Sequence, residues 1–311
     1  MKIRQEVFDT YWKFAAERQN IFFKRQKGNL QSYTQDSILN TYKFCNVYRA
    51  SDRVSQFLIR DVIYEGERSG EDTLFRIFLF RLLNKTETWI KLEKALGGIS
   101  LKNFNLNKYS NVLSELKKEG PIYGNAFILC ANKIFGFEEK HNNHLALLEK
   151  VFINDGLIKN IIGVNSLKEL FYALKKLPLI GDFMAYQIAI DFNYSEVFNF
   201  DEDDFVVAGP GAVRGINKCF YDISPKEYSD IIMWMVSNQE KEFKRLGLKF
   251  KSLWGRKMHA VDCQGLFCEV DKYSRIKFPE LKSNRKRIKA KFEPTNKRIK
   301  YFYPPKWNIA I

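Results

Sequence analysis

Histidine and cysteine are scarce in these 311 residues, and their spacing excludes the common metal centres. There are three histidines (His141, His144, His259) and five cysteines (Cys45, Cys130, Cys219, Cys263, Cys268). No CxxC pair occurs, so zinc has no obvious ligand set, and the expectation is free thiols, no metal and no cofactor. No apolar run is long enough to cross a bilayer, and the N-terminus MKIRQEVFDTYWKFAAERQ is amphipathic with mixed charge rather than signal-like. A soluble, cytoplasmic, monomeric protein without membrane contact follows as the expectation. Strand-like alternation, a βαβ rhythm and internal repeats are all lacking. So is a glycine-rich loop of the GxxxxGK[ST] type, which leaves a kinase reading without its usual phosphate-binding motif.

What the sequence has in plenty is apolar surface and positive charge. Hydrophobic residues make up 45% of the chain, enough for a sizeable core, and the formal net charge is +15. A polyanion binds a cationic face by releasing its condensed counterions, so nucleic acid is the natural partner, although AT-rich genomes also encode lysine-rich proteins. The charge gathers in KSNRKRIKAKFEPTNKRIK (282–300), followed by Tyr301, Phe302, Tyr303 and Trp307. That stretch reads equally as a phosphate clamp with aromatics for stacking, including Arg285 and Arg287, and as a solvated tail.

Helical periodicity dominates. TLFRIFLFRLLNKTETWIKLEKAL (73–96), NKYSNVLSELKKEG, NHLALLEKVFINDGLIKNII and SLKELFYALKKL place apolar residues three and four apart. Turn signals at Gly97-Gly98, Gly120-Pro121, Pro178 and Gly209-Pro210-Gly211 separate them. The expected architecture is all-α: an N-terminal helical segment (1–34), a helical core (35–280) and a basic, aromatic C-terminal extension (281–311).

The stretch LKELFYALKKLPLIGDFMAYQIAIDFNY (167–194) reads as helix, hairpin, helix. Pro178 stops the first helix, Gly181 permits the turn, and Ala185 lets the helices cross closely. Free N–H groups around Ile180, Gly181 and Asp182 at a helix N-terminus suit a DNA phosphate. An ordinary αα-hairpin between core helices is the plainer reading. The pattern LPxIGxxxAxxI resembles the hairpin of the helix-hairpin-helix DNA glycosylase superfamily, in which a loop and a catalytic aspartate follow. At that distance stands FNFDEDDFVVAGPGAVRGINKCF, with Asp201, Glu202, Asp203 and Asp204. The family's VDTHVxR pattern is not reproduced: aligning Val213-Arg214 puts Gly209 at the aspartate, and aligning the acidic run makes Asp204 or Asp203 the candidate. The resemblance implies a carboxylate that stabilises the cation developing on the sugar. At least two of the four carboxylates are expected to be solvated or paired with Arg214, Lys218 or the tail. The lysine of bifunctional members is Phe183 here, which implies a monofunctional enzyme.

Five stretches resemble a narrower group, the DNA-base hypermodification family related to the helical domain of hydroxymethyluracil DNA kinases, with phage-defence glycosylases as relatives. They are ASDRVSQFLIRDVIY, DTLFRIFLFRLLNKTETW, GDFMAYQIAIDFNYS, DDFVVAGPGAVRGINKCF and VDCQGLFCEVDKYSR. Asp52, Arg53, Gln56 and Arg60 fall on one helical face, fit to grip backbone or a base edge, or to form surface ion pairs. Asp262 and Gln264 offer an acceptor and a bidentate amide for a pyrimidine edge, with Asp262 a second catalytic candidate. Cys263 is a candidate nucleophile by position alone. Glu269 and Asp271 read as surface partners of Lys272 and Arg275. Trp89, Tyr186, Phe205 and Trp254 could stack on an extruded base or fill the core. Together these lead to the expectation of a monofunctional DNA glycosylase that flips out and excises a hydroxymethylated, glucosylated or hypermodified pyrimidine. The alternatives are a transferase acting on an activated hydroxymethyl pyrimidine in DNA, and a non-catalytic module that binds modified DNA.

Overall fold

The computed structural model describes residues 2–28, 33–127, 129, 131–281, 285, 288, 290–293 and 299–311. In chain order the helices are α1 (Gln5–Gln26), α2 (Ser37–Thr41), α3 (Arg53–Phe57), α4 (Gly70–Leu83), α5 (Thr86–Leu96), α6 (Leu106–Glu119) and α7 (Lys140–Glu149). They continue with α8 (Leu157–Ile162), α9 (Leu167–Lys175), α10 (Asp182–Asn193), α11 (Pro210–Cys219), α12 (Tyr228–Arg245) and α13 (Ala260–Lys277). The protein is predominantly helical, as its periodicity implies. The strands among the described residues are the two-residue pair β1 (Lys2–Ile3) and β2 (Phe220–Tyr221), antiparallel with Lys2 opposite Tyr221.

The helices begin and end where local chemistry dictates. Ser69, Asn105 and Ser166 accept backbone N–H bonds at the starts of α4, α6 and α9. The periodic run 73–96 is broken into α4 and α5 because Asn84 takes a left-handed conformation at φ 47°. Gly156, at φ 58°, likewise separates α8 from the turn of π-helix at Lys150–Asn154 that prolongs α7.

The chain divides into two compact units. One consists of 1–52, 205–301 and 308–311, the other of 53–204 and 302–307. These boundaries differ from the division at 34 and 280 expected from sequence. In the first unit α1 is central: Tyr11 and Trp12 are wholly buried, with Trp12 edge-on to Phe243 of α12 and Tyr11 against Phe267 of α13. In the second, Phe75 and Phe78 of α4 pack on Phe152, and Phe78 also meets Phe192 of α10. The segment 302–307 belongs to this second core rather than to a detached extension.

Candidate nucleic-acid interface

The hairpin expected at 167–194 is formed by α9 and α10 in the second unit, which pack on each other. Its turn is built differently from the expectation. The left-handed residue is Leu179, at φ 68°, whereas Gly181 is extended at φ −86° and serves as the N-cap of α10. Ile180 N–H donates to Leu177 O within the turn, so the expected free donor at Ile180 is occupied. Gly181 supplies no side-chain cap, and Asp182 and Phe183 open the helix on an exposed edge. Asp182 is engaged by Lys175 at 2.8 Å, and Lys176 beside it is exposed. Phe183 stacks on Phe127, centroids 5.7 Å apart and rings 8° from parallel.

Behind the hairpin, Asp191 of α10 is fully buried and receives Arg81 Nε at 2.5 Å. Arg81 also donates to Asn84 Oδ1 at 2.8 Å and lies 4.5 Å over the Phe127 ring. Nearby in α4, Arg76 is buried and donates to the carbonyls of Val62, Ile99 and Asp61, closing a stretch of π-helix at Leu58–Ile63. Sequence reasoning assigned neither arginine, because an arginine in an apolar helix reads as surface-facing until its partners are known.

The acidic run of the same unit forms a tight turn. Asp203 N donates to Asp201 Oδ1 at 2.9 Å and Asp204 N to Asp201 O. Asp204 is exposed, Asp203 half-buried and Glu202 buried.

In the first unit the glycine-rich opening of α11 is a packing surface. A Cβ on Gly215 would stand 2.1 Å from Phe267 O, and one on Gly211 2.7 Å from Cys268 Sγ, so these glycines let α11 lie directly on the α13 backbone. One turn further on, Arg214 and Lys218 reach Asp271 of α13 at 3.1 and 2.9 Å, and Arg275 joins them. Burial of Asp271 would raise its carboxyl; the hydrogen bonds and charges of Arg275 and Lys218 outweigh this and hold it below the usual range. The partners expected for the acidic run are therefore committed to Asp271. Glu269 and Asp271, expected on the surface, are buried, each still paired as the spacing implied.

The remaining candidates are largely engaged by protein. Gln56 is buried and clamps the backbone of Phe302, donating from Nε2 at 3.1 Å and accepting at Oε1 at 2.8 Å. Arg60 binds its neighbour Asp61 through two nitrogens, while Arg53 is exposed. Gln56 is turned into the core while Arg53 is exposed and Arg60 half-buried, so the three do not present one common surface. Asp52 accepts from Asn46 N at 2.7 Å, and burial pushes its carboxyl up to about 6. Asp262 caps α13, accepting from His259 N, and its other oxygen accepts from Arg49 N at 2.8 Å. Cys263 and Gln264 are buried in the same helix. Trp89 and Tyr186 are core residues at 0% exposure. Phe205 is half-buried, and Trp254 packs edge-on to Phe22 and Phe23. Arg285 is exposed; Arg287 lies outside the described residues. His141 and His144 are buried beside the hydroxyls of Ser114 and Tyr123.

The C-terminal segment carries an anchor that the sequence did not announce. Lys306 Nζ donates to Asn193 O at 2.6 Å, Ser195 O at 2.7 Å and Phe198 O, holding the end of α10. Trp307 meets Tyr194 edge-on. Within the first unit, Ala290 and Phe292 exchange backbone bonds with Lys43 and Thr41, so this part of the basic stretch is docked.

Residues 5–283 match the family described as 5-hmdU DNA kinase, helical domain, and the chain belongs to that family. A relative, the 5-hmdU DNA kinase of Bacillus phage SP10, is 28% identical over 292 residues, covering 86% of this chain and 45% of that protein. The chain thus spans less than half the length of that curated relative. No solved structure matches.

The family overturns base excision. Family and relative are named for a kinase, which transfers phosphoryl groups, and not for a hydrolase of glycosidic bonds. The role that depended on excision, sugar-cation stabilisation by Asp204, Asp203 or Asp262, falls with it.

Proposed function

We propose that this chain is a modified-DNA-binding component of 5-hydroxymethyluracil phosphorylation, holding the hydroxymethylated DNA while phosphoryl transfer is carried by residues outside the matched stretch. The observation that carries the reading is the family match over residues 5–283. The net charge of +15 supports a polyanionic partner, and the absence of a GxxxxGK[ST] loop supports placing nucleotide chemistry elsewhere. The α9–α10 turn acts as a helix-hairpin-helix element that takes a backbone phosphate on the open N–H groups of Asp182 and Phe183, with Lys176 adding charge. Arg53 of the same unit, also exposed, adds a further phosphate contact.

Titration of a labelled duplex at increasing salt tests this. Binding should fall linearly on logarithmic axes with a slope of about −0.9 per phosphate contact. Replacing Lys176 and Arg53 by glutamine should flatten that slope without unfolding the protein, and an unchanged slope would remove them from the interface. Incubated alone with γ-labelled ATP and 5-hydroxymethyluracil DNA, the chain should transfer no label. Transfer would contradict the division of labour.

A further inference from the structure

The loop before residue 128 is tied down in an unusual way. Gly124 N donates to Leu83 O, and a Cβ on Gly124 would fall 2.1 Å from Asn84 O, so only glycine passes here. Asn84 Nδ2 then holds Ala126 O at 2.8 Å. These bonds deliver Phe127 at φ 56°, a conformation that a bulky residue adopts only when its surroundings impose it. The result is a layered stack: the Arg81 guanidinium 4.5 Å from the centre of the Phe127 ring, then Phe183 nearly parallel to Phe127. Arg81 is itself fixed by buried Asp191, so the base of the stack is rigid.

Both phenylalanines are half-buried rather than part of the core. Phe183 is the second residue of α10, directly after exposed Gly181 and Asp182, with exposed Lys176 at the end of α9. A flat apolar face thus adjoins the start of α10, where Lys175 pairs with Asp182 and Lys176 is exposed. Nucleic acid carries planar bases and phosphates in the same juxtaposition, a few ångströms apart along one strand.

We infer that Phe183, backed by Phe127 and Arg81, is a stacking platform for an unpaired nucleobase adjoining the phosphate held at the hairpin. This deepens the DNA-binding reading above and rests on it. Stacking on an aromatic ring is tolerant of base identity and insensitive to salt, which separates it from the phosphate contact.

The test uses a single-stranded oligonucleotide carrying one 2-aminopurine, whose fluorescence is quenched on stacking. Wild-type protein should quench it on binding. Phe183→Leu should lose the quench and bind about tenfold or more weakly, with an unchanged salt slope, whereas Phe183→Tyr should retain both. Phe127→Leu, which removes the backing ring and relieves no contact with DNA, should give a partial loss. Thermal melting of each variant separates loss of the platform from loss of the fold. Full affinity and quenching in a folded Phe183→Leu protein would overturn the platform alone. Failure of the wild type to bind any oligonucleotide would overturn the DNA-binding reading beneath it.

Discussion

Arg81 and Asp191 meet with Nε 2.5 Å from Oδ2 while exposing 1% and 0% of their side chains. Removing two charges from water is costly, and their mutual attraction repays this only while both remain. Asp191→Ala should therefore cost about 3–5 kcal/mol, measured by urea denaturation. The double replacement Arg81→Met with Asp191→Leu should restore most of that loss. A single substitution costing under about 1 kcal/mol would show that the pair is hydrated.

Gly215 lies within α11 and Gly181 caps α10, and the structure separates the two glycines sharply. A Cβ at Gly215 would press into Phe267 O at 2.1 Å, whereas one at Gly181 meets nothing within 4 Å. Gly215→Ala should cost at least about 2 kcal/mol, and Gly181→Ala should stay within about 0.5 kcal/mol of wild type. Equal melting temperatures for the two variants would contradict the close approach of α11 and α13.

Acid stability should depend on His144. Burial, helped by Lys140 and His141, lowers this imidazole from 6.5 to about 3, so the unfolded state binds the proton first as pH falls. The stabilisation is complete above pH 6.5 and declines between there and pH 3, by at most about 5 kcal/mol. His144→Gln should flatten that limb of the stability curve. Asp52 works in the opposite sense: raised from 3.8 to about 6, it penalises the fold above pH 6 and is relieved as pH falls toward 3.8. Asp52→Asn, which keeps an acceptor for Asn46 N, should stabilise the protein at pH 8. No gain there would show that the carboxylate is solvated.

Lys306 binds three carbonyls at the end of α10. Lys306→Met should cost about 1–3 kcal/mol. Deleting 302–311 should cost more, because it also strips Gln56 of its partner and removes buried Tyr303. A truncated chain with an unaltered melting temperature would mean that the segment is dispensable to the second unit.

The all-α class was legible because three- and four-residue apolar spacing persists through most of the chain, and the hairpin because LPLIG punctuates two such runs. The turn was harder to read: glycine is the usual left-handed residue, yet here Leu179 takes that conformation. Polar residues such as Gln56 and Asp262 drew attention as base readers, since a sequence does not show that a backbone amide elsewhere will claim them. The packing role of Gly211 and Gly215 was not legible because the helix they lie against is some fifty residues downstream. The narrower resemblance to the hydroxymethyluracil kinase helical domain led to the right family. Excision came from the broader superfamily analogy and from the resemblance to phage-defence glycosylases, and a likeness of fold does not fix the chemistry.

The most direct test compares the affinity of this protein for two duplexes, identical except that one carries 5-hydroxymethyluracil in place of thymine, at a single fixed salt concentration. The account predicts binding to both through the phosphates and tighter binding, by about tenfold, to the hydroxymethylated duplex, equivalent to one well-placed hydrogen bond. Equal affinity for the two, or no binding to either, would contradict it.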